Sequence, residues 1–287
     1  MDTIPIRHIN AAQNEYDFSE SFSIRDVRTL LVGKDMVQEL HRHNFFYILA
    51  LKKGIGNHEI DFTPYTVCDN SIFFMRPGQV HELELKNGCT GYLMEFNTGF
   101  YHPTDKVSAQ RLRKASNKNF CQLEMGRFEK LYDILTYIFQ EYTGKEEDYQ
   151  DVIKANLDIF FIEFVRQSLN PKDTSTNVNP YTQERLEEFL ELLGMHIATH
   201  KQVTQYTELM NLSPYQLNEI TKATIGKTAS ELINENIILE AKRYLLATPN
   251  QIKDIADHLG YEDVSYFIRF FKKHTGYPPE VFRHNFG

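Results

Sequence analysis

Residues 252–283 read IKDIADHLGYEDVSYFIRFFKKHTGYPPEVFR, and this segment decides the fold of the carboxy-terminal part of the chain. A short apolar-periodic run ends at Gly260, and a longer run that follows ends at Gly276. Glycine is favoured at tight turns and just after helices because it adopts positive φ without steric cost. The segment therefore predicts a helix-turn-helix unit. Five apolar side chains are expected to form its core: Ile255, Ala256, Leu259, Phe267 and Phe271.

A second segment upstream has the same layout. Residues 203–210 predict a short helix, 211–213 a turn, and 214–224 a longer helix closed by Gly226. Ser213 suits the N-cap of that longer helix, and Pro214 suits its first turn. The 19 residues at 229–247 predict one continuous helix between the two units, about 28 Å long. Successive major-groove faces of B-DNA lie roughly 34 Å apart, so this spacer can present two recognition helices to adjacent grooves.

The carboxy-terminal run closely resembles the signature of the AraC/XylS family of bacterial transcription regulators. The motifs that carry the resemblance are AKRYLL at 241–246, IKDIA at 252–256 and GYEDVSYFIRFFKKHTGYPPEVFR at 260–283. The resemblance implies a double helix-turn-helix domain over 181–287 that contacts promoter DNA. By position, the residues expected to contact DNA are Ser265, Ile268, Arg269, Lys272 and Lys273 of the second reader, and Tyr215, Asn218, Glu219 and Lys222 of the first.

The chemistry of the second reader fits this role better than that of the first. Arg269 can bind guanine bidentately, and Lys272 and Lys273 suit phosphate, although a helix dipole also favours cations at a helix end. Residues 242–287 hold seven basic and five acidic residues, whereas residues 181–241 hold four basic and nine acidic residues. Glu219 stands where family members commonly have arginine, and Thr221 where an aromatic residue is common. The second reader is therefore expected to supply most of the affinity.

The amino-terminal part predicts a small antiparallel sandwich or barrel. Short strands separated by turns are expected at 45–51, 71–75, 80–85 and 91–96. His41 and His43 share one face of a strand, and with His81 they resemble the two sequence motifs of cupins, which leaves a three-histidine metal site as one alternative. Tyr47 or Ile48 stands where metal-binding cupins place a glutamate, and Leu85 replaces the expected asparagine. We therefore predict no resident metal or cofactor.

An effector pocket is the preferred interpretation of this barrel. Its predicted lining combines apolar walls with a few polar groups: His43, Tyr47, His58, Phe74 and His81. Such a pocket suits a sugar or another small metabolite. The alternative is a barrel filled by its own side chains without a ligand.

Two helices are predicted after the barrel, and the second carries a dimerisation hypothesis. This second helix, at about 148–169, is apolar nearly all round between Leu157 and Val165. The extra apolar face predicts a second burial partner, such as another copy of the chain. Phe160 and Phe164 lie on one face and Ile162 on another, so a charge at one of these faces is expected to give a folded monomer. A helix wedged between domains is the alternative.

The predicted fold class is multidomain, with an all-β cupin-like barrel and two helices, followed by an all-α double helix-turn-helix domain. The expected boundaries are 1–122 for the sensing domain, 123–170 for the helical hairpin, 171–180 for a polar linker and 181–287 for the DNA-binding domain. Three cysteines without CxxC spacing and the lack of a signal peptide predict a cytoplasmic protein. A homodimeric transcription regulator is the leading hypothesis, and a cupin-fold metal-dependent enzyme or isomerase with an appended helical domain is the alternative.

Overall fold

The computed structural model describes residues 4–7, 9, 21–103, 105–168 and 179–286. The chain divides into two compact units, one of residues 5–174 and one of residues 175–287 together with residues 1–4. Most of the predicted linker at 171–180 lies outside the described residues.

The unit of residues 5–174 contains two five-stranded sheets. The outer sheet has the strand order β1-β3-β8-β5-β6 and consists of β1 (Ile6–Arg7), β3 (Met36–His43), β8 (Val80–Leu85), β5 (Gly56–Ile60) and β6 (Thr63–Val67). The inner sheet has the order β10-β7-β4-β9-β2 and consists of β10 (Phe120–Gln122), β7 (Ser71–Met75), β4 (Phe46–Lys53), β9 (Thr90–Phe96) and β2 (Phe22–Asp26). This arrangement confirms the predicted β-rich layout.

The inner sheet is buried on both faces. Along β4, Tyr47 and Leu49 point to the barrel interior, whereas Ile48 and Ala50 belong to the opposite cluster. Successive strand residues point to opposite faces, so a strand covered on both sides is apolar at every position instead of alternating. This double burial explains the continuous run FYILAL in β4.

The prediction that Phe74 lines the barrel interior is wrong. Phe74 lies on the far face of β7, where its ring centroid is 5.8 Å from that of Phe161 and 6.1 Å from that of Phe164. The neighbouring Phe73 faces the interior instead, with its ring 4.7 Å from the ring of His58. Strand alternation requires that only one of two adjacent phenylalanines can face the histidines.

Helices cover the far face of the inner sheet. In the described part of this unit, the helices are α1 (Val27–Leu31), α2 (Lys106–Ser116), α3 (Met125–Gly144) and α4 (Tyr149–Ser168). The hairpin of α3 and α4 confirms the two predicted helices, whereas α1 and α2 were not predicted. The Tyr101 hydroxyl donates a 2.7 Å hydrogen bond to Asp158 of α4, which fixes the helix against the segment that follows β9.

The apolar character of α4 is explained within this unit. Phe160, Phe161 and Phe164 are each at most 1% exposed, in one cluster with the far face of the inner sheet. The prediction that a charge at Phe160 or Phe164 gives a folded monomer is therefore wrong, because these rings belong to the core. Ile159 is 48% exposed and Ile162 is half-buried, so an apolar strip remains on the solvent side.

The described residues of the second unit form seven helices: α5 (Pro180–His196), α6 (Val203–Met210), α7 (Pro214–Ile225), α8 (Ala229–Ala247), α9 (Ile252–His258), α10 (Val264–Thr275) and α11 (Pro279–Phe286). The predicted spacer helix is confirmed as α8, and the five predicted core residues of the second helix-turn-helix unit are all buried. Ser213 caps α7 by accepting from the Gln216 amide, and Pro214 occupies its first turn, as predicted. None of the described helices is long and apolar enough to cross a membrane.

The turn between α9 and α10 depends on Gly260. Its φ is +72°, in the left-handed region, and a Cβ at this position would lie 2.0 Å from the Ala198 carbonyl oxygen. Lys201 lies beside the same turn, with its ammonium nitrogen 5.0 Å from the Tyr261 ring centroid and 3.0 Å from the Ala198 carbonyl oxygen. The backbone of this turn therefore packs directly against the segment that joins α5 to α6.

Candidate DNA-reading face and histidine cluster

One face of α10 is open to solvent and carries the predicted base-reading residues. Ser265, Arg269 and Lys272 are exposed and Ile268 is half-buried, at helical spacings of three and four that place them on one side. Asp263 caps the helix by accepting from the Ser265 amide at 2.7 Å. The helix therefore presents hydroxyl, guanidinium and ammonium groups along a single stripe, and Lys273 lies exposed beside it.

The opposite face of α10 anchors the helix. Phe267 and Phe271 are fully buried, and the Phe271 ring meets Phe282 of α11 edge-on at 5.4 Å. Tyr266, by contrast, is 55% exposed. The contrast between a buried aromatic face and an exposed polar face fixes which side of α10 is available to a partner.

Arg269 has one ionic neighbour, and the pair is weak. Its guanidinium lies 3.9 Å from the Asp263 carboxylate, and both side chains are more than 60% exposed. Exposed ion pairs at this distance contribute little because water screens them. The guanidinium can therefore exchange this contact for a base or a phosphate at small cost.

The corresponding face of α7 is arranged differently. Tyr215 is 73% exposed, and Glu219 and Lys222 are exposed as well. The side chain of Asn218, however, is used within the unit: its Nδ2 donates to the Pro214 carbonyl and its Oδ1 accepts from the Ala229 amide, both at 3.0 Å. These two bonds fix the orientation of the Asn218 amide, so a base contact by Asn218 would have to share the amide with the start of α8. Sequence position placed Asn218 on the reading face, but only the tertiary structure reveals this competing partner.

Several cations of the second unit hold the fold together. Arg283 donates to the carbonyl oxygens of Leu245 and Asn250 at 2.8 and 2.6 Å, and burial lowers the pKa of its guanidinium. The Lys242 ammonium lies 5.4 Å from the ring centroid of Phe282. Some of the basic residues counted from the sequence therefore stabilise the fold and do not lie on the exposed surface. In residues 242–286 the exposed lysine and arginine side chains are Lys253, Arg269, Lys272 and Lys273.

Positive charge is concentrated on α10. Its sequence VSYFIRFFKKHT contains three lysine or arginine residues and no acidic residue. The sequence PYQLNEITKATI of α7 contains one of each sign. The difference in charge between the two reading helices therefore persists after the structural cations are set aside.

The barrel interior brings four histidines into mutual contact. His41, His43, His58 and His81 are each at most 3% exposed. His81 Nε2 lies 2.7 Å from His43 Nε2 and 3.0 Å from His41 Nε2, and His81 Nδ1 lies 2.8 Å from His58 Nε2. We refer to these four residues as the histidine cluster. The predicted pocket residues His43, Tyr47, His58 and His81 therefore do meet, and His41 joins them.

Packing and burial fix the rings of this cluster. Tyr47 stacks on His43 at 5.3 Å with an interplanar angle of 15°, and Phe45 packs on the same imidazole at 4.4 Å. Burial is the main cause, and the charge of His41 the second, that lowers the pKa of His58 to about 3. His58 is therefore a neutral imidazole at physiological pH, with one ring nitrogen as donor and the other as acceptor.

The donor atoms of the cluster fit a transition-metal ion. The ligand nitrogens of His41, His43 and His81 all lie within 4.8 Å of one another. Neutral imidazole nitrogens are ligands that Zn²⁺ and its first-row neighbours accept readily. Such an ion would act as a Lewis acid in the interior, and the other members of the cluster would orient its ligands.

Comparison with known proteins agrees with this layout. Residues 206–285 match the family described as "Helix-turn-helix domain", and residues 35–111 match the family described as "AraC-like ligand binding domain". The HTH-type transcriptional activator RhaS of Pectobacterium carotovorum subsp. carotovorum is 24% identical over 249 residues, which cover 85% of this chain and 87% of that protein.

Two further proteins are similar over most of the chain. The uncharacterized HTH-type transcriptional regulator YfiF of Bacillus subtilis is 24% identical over 261 residues, which cover 85% of this chain and 78% of that protein. The crystal structure of ToxT from Vibrio cholerae aligns with a TM-score of 0.44 at 16% identity, over 92% of this chain and 98% of that chain. With the tandem helix-turn-helix units and both family matches in place, the chain is an AraC-type transcription regulator with an amino-terminal ligand-binding domain and a DNA-binding helix-turn-helix domain.

Proposed function

We propose that α10 is the main DNA-reading element of this regulator. In this proposal Ser265, Ile268 and Arg269 contact bases, and Lys272 and Lys273 contact phosphates. The observation that carries the proposal is the division of α10 into a buried aromatic face and an exposed, acid-free cationic face. A helix of this kind suits the major groove because arginine reads guanine there and lysine neutralises the backbone.

We assign the first reader a weaker role. Tyr215, Glu219 and Lys222 face the DNA, whereas Asn218 connects α7 to α8 through the Ala229 amide. A carboxylate beside phosphate is repelled unless it accepts from a cytosine amine. Glu219 therefore contributes selectivity for cytosine, and most of the affinity comes from the second unit.

The experiment that tests this proposal is selection from random duplex DNA with the full chain. Recovered fragments are expected to share a motif in two parts, spaced by about one helical turn as for two recognition helices in adjacent grooves. The half contacted by α10 should be the more restricted in sequence. Recovered DNA without a common motif would contradict sequence-specific reading by this chain.

We propose that the histidine cluster and Tyr47 form the effector-sensing site of the 5–174 unit. The four imidazoles and the Tyr47 ring lie together in the interior, beside Phe73. The family match to a ligand-binding domain supports a sensing role for this unit. The chain acts in this proposal as a regulator without catalytic activity, in agreement with the regulators to which it is similar.

We propose that the sensing domain occupies 1–122, the helical hairpin 123–170, the linker 171–180 and the DNA-binding domain 181–287. The boundary between the two compact units, after residue 174, falls within the proposed linker. The regulator forms a homodimer in this proposal, through the solvent side of α4, where Ala155, Ile159 and Ile162 lie at helical spacing on one face.

A further inference from the structure

The histidine cluster brings one ligand nitrogen from each of His41, His43 and His81 within 4.8 Å of the other two. His81 Nε2 is the central atom, with His43 Nε2 at 2.7 Å and His41 Nε2 at 3.0 Å. These atoms come from two neighbouring strands, β3 and β8, whose register places His41 directly opposite His81. A bulge in β3 between Gln38 and His41 precedes the segment in which His41 and His43 turn to the same interior face.

The tautomer of each ring limits the hydrogen bonds that these nitrogens can form with one another. The carbonyl oxygen of Glu39 lies 2.7 Å from His41 Nδ1, and a carbonyl only accepts, so the proton of a neutral His41 is on Nδ1 and its Nε2 carries a lone pair. His81 Nε2 carries either one proton or one lone pair, yet it faces two other ring nitrogens. One atom cannot give both contacts a linear hydrogen bond. A cation that accepts lone pairs from all three nitrogens resolves the conflict.

The outer partners of the cluster suit such a cation. Imidazoles that bind a metal through one nitrogen commonly donate the other N–H to an oxygen or another acceptor, which fixes the ring. His41 already has the Glu39 carbonyl at Nδ1, and His81 has His58 Nε2 at 2.8 Å from its Nδ1. His58 comes from β5, outside the two cupin-like motifs, so this partner is a feature of the present chain.

We propose that the barrel interior binds one divalent transition-metal ion of the zinc class through Nε2 of His41, His43 and His81, with His58 holding the ring of His81. Three imidazoles leave a fourth coordination position for a water or an effector atom. Nitrogens bound to zinc at tetrahedral angles lie about 3.3 Å apart, so the separations of 2.7 and 3.0 Å from His81 Nε2 need to widen by about 0.6 and 0.3 Å. This inference rests on the proposal that the interior is the sensing site.

The test measures the metal itself in the full chain. Protein stripped with a chelator is titrated with Zn²⁺, and with Co²⁺ as a spectroscopic substitute. We expect one equivalent to bind, the visible absorption of four-coordinate Co²⁺ to develop, and the thermal midpoint to rise because the ligand binds only the folded state. Wild-type protein that binds no equivalent of either metal, or whose Co²⁺ spectrum shows no imidazole-bound four-coordinate ion, overturns the proposal.

Variants locate the metal. His43→Gln and His81→Gln are expected to abolish the bound equivalent, and His58→Gln to weaken binding by about 10–100-fold, as is usual when the partner of a ligand is lost. The control is the double variant His196→Ala and His200→Ala, which removes the other close histidine pair, with ring centroids 4.9 Å apart in the DNA-binding unit. Retention of the metal by this control supports the proposal, and its loss overturns it. The wild-type titration decides alone if the buried variants do not fold.

Operator binding separates this inference from the proposed sensing role. The affinity of the metal-loaded and the stripped full chain is measured for the same selected DNA. A difference supports both the site and its role in sensing. Stoichiometric metal with identical operator affinity supports the site and contradicts sensing by it. Wild-type protein that binds no metal, but whose operator affinity changes with another compound, contradicts the metal site and leaves the proposed sensing role standing.

Discussion

Arg269 lies on the exposed stripe of α10, 3.9 Å from Asp263. Replacing Arg269 with alanine is expected to cost about 1–3 kcal/mol on the selected operator and to relax the preference at one base pair, because a bidentate guanine contact is lost. Affinities for the operator and for its single-base variants measure both effects. Lys253→Ala, an exposed cation on α9, serves as the control and should leave the base preference intact. An unaffected Arg269→Ala together with loss of binding by Tyr215→Ala would reverse the ranking of the two readers.

Glu219 provides the opposite test on α7. The isosteric change Glu219→Gln removes one negative charge from the DNA-facing side, so binding to unrelated DNA should stay equal or become tighter. If Glu219 accepts from a cytosine amine, specific binding alone should weaken. Competition between operator and random DNA measures the two effects. Weaker binding to every sequence would show that Glu219 supports the fold of α7 instead of facing DNA.

At the scale of elements, Gly260 seats the second helix-turn-helix unit. Gly260→Ala is expected to destabilise the unit by more than about 1 kcal/mol, because alanine is strained at positive φ and its Cβ would meet the Ala198 carbonyl at 2.0 Å. Gly276→Ala is the matched control: its φ of +84° imposes similar strain, but nothing lies within 4 Å of the added Cβ. Denaturant unfolding of both variants isolates the cost of the clash. Equal losses would mean that Ala198 moves away freely.

Two consecutive residues of α4 allow core packing and dimerisation to be tested separately. Phe160→Lys should prevent folding of the 5–174 unit, because a charge would enter a site that is 0% exposed. Ile159→Lys lies on the solvent side and should leave the fold intact while converting a dimer to a monomer. Circular dichroism and sedimentation at micromolar concentration measure the two outcomes. A folded Ile159→Lys variant that remains dimeric would place the dimer contact elsewhere.

At the scale of the whole molecule, the net charge of −8 means that attraction to DNA must come from a few exposed cations. Lys272→Ala should weaken binding to all sequences alike and reduce the slope of log affinity against log salt by about one. A salt series on one operator and one random duplex measures this slope. Lys242→Ala is a useful contrast, since that ammonium packs on Phe282 and its loss should leave the slope unchanged.

The features that could be predicted from the sequence are those set by local chemistry. The Ser213 cap, the Gly260 turn and the length of α8 follow from residues close in the chain, and the structure has them where they were expected. The distinction between Phe73 and Phe74 depends on which face of the sheet meets the barrel interior. The two residues have the same side chain, so local chemistry cannot tell them apart. The burial of Phe160 depends on a partner distant in sequence. The Asn218 bond to Ala229 and the contact of His58 with His81 likewise join residues from different elements. Only the tertiary structure determines them.

Burial of the inner sheet on both faces couples the packing on its two sides. Phe73 lies against His58, while the next residue, Phe74, lies against Phe161 and Phe164 of α4. The two rings share one stretch of backbone, and close-packed interiors yield little when they are displaced. A shift of β7 that makes room beside the histidines must therefore push on the helical hairpin at the same moment. The strand links the packing of the histidine cluster to that of the helical hairpin, so a displacement on one face of β7 is transmitted to the other face without any hinge.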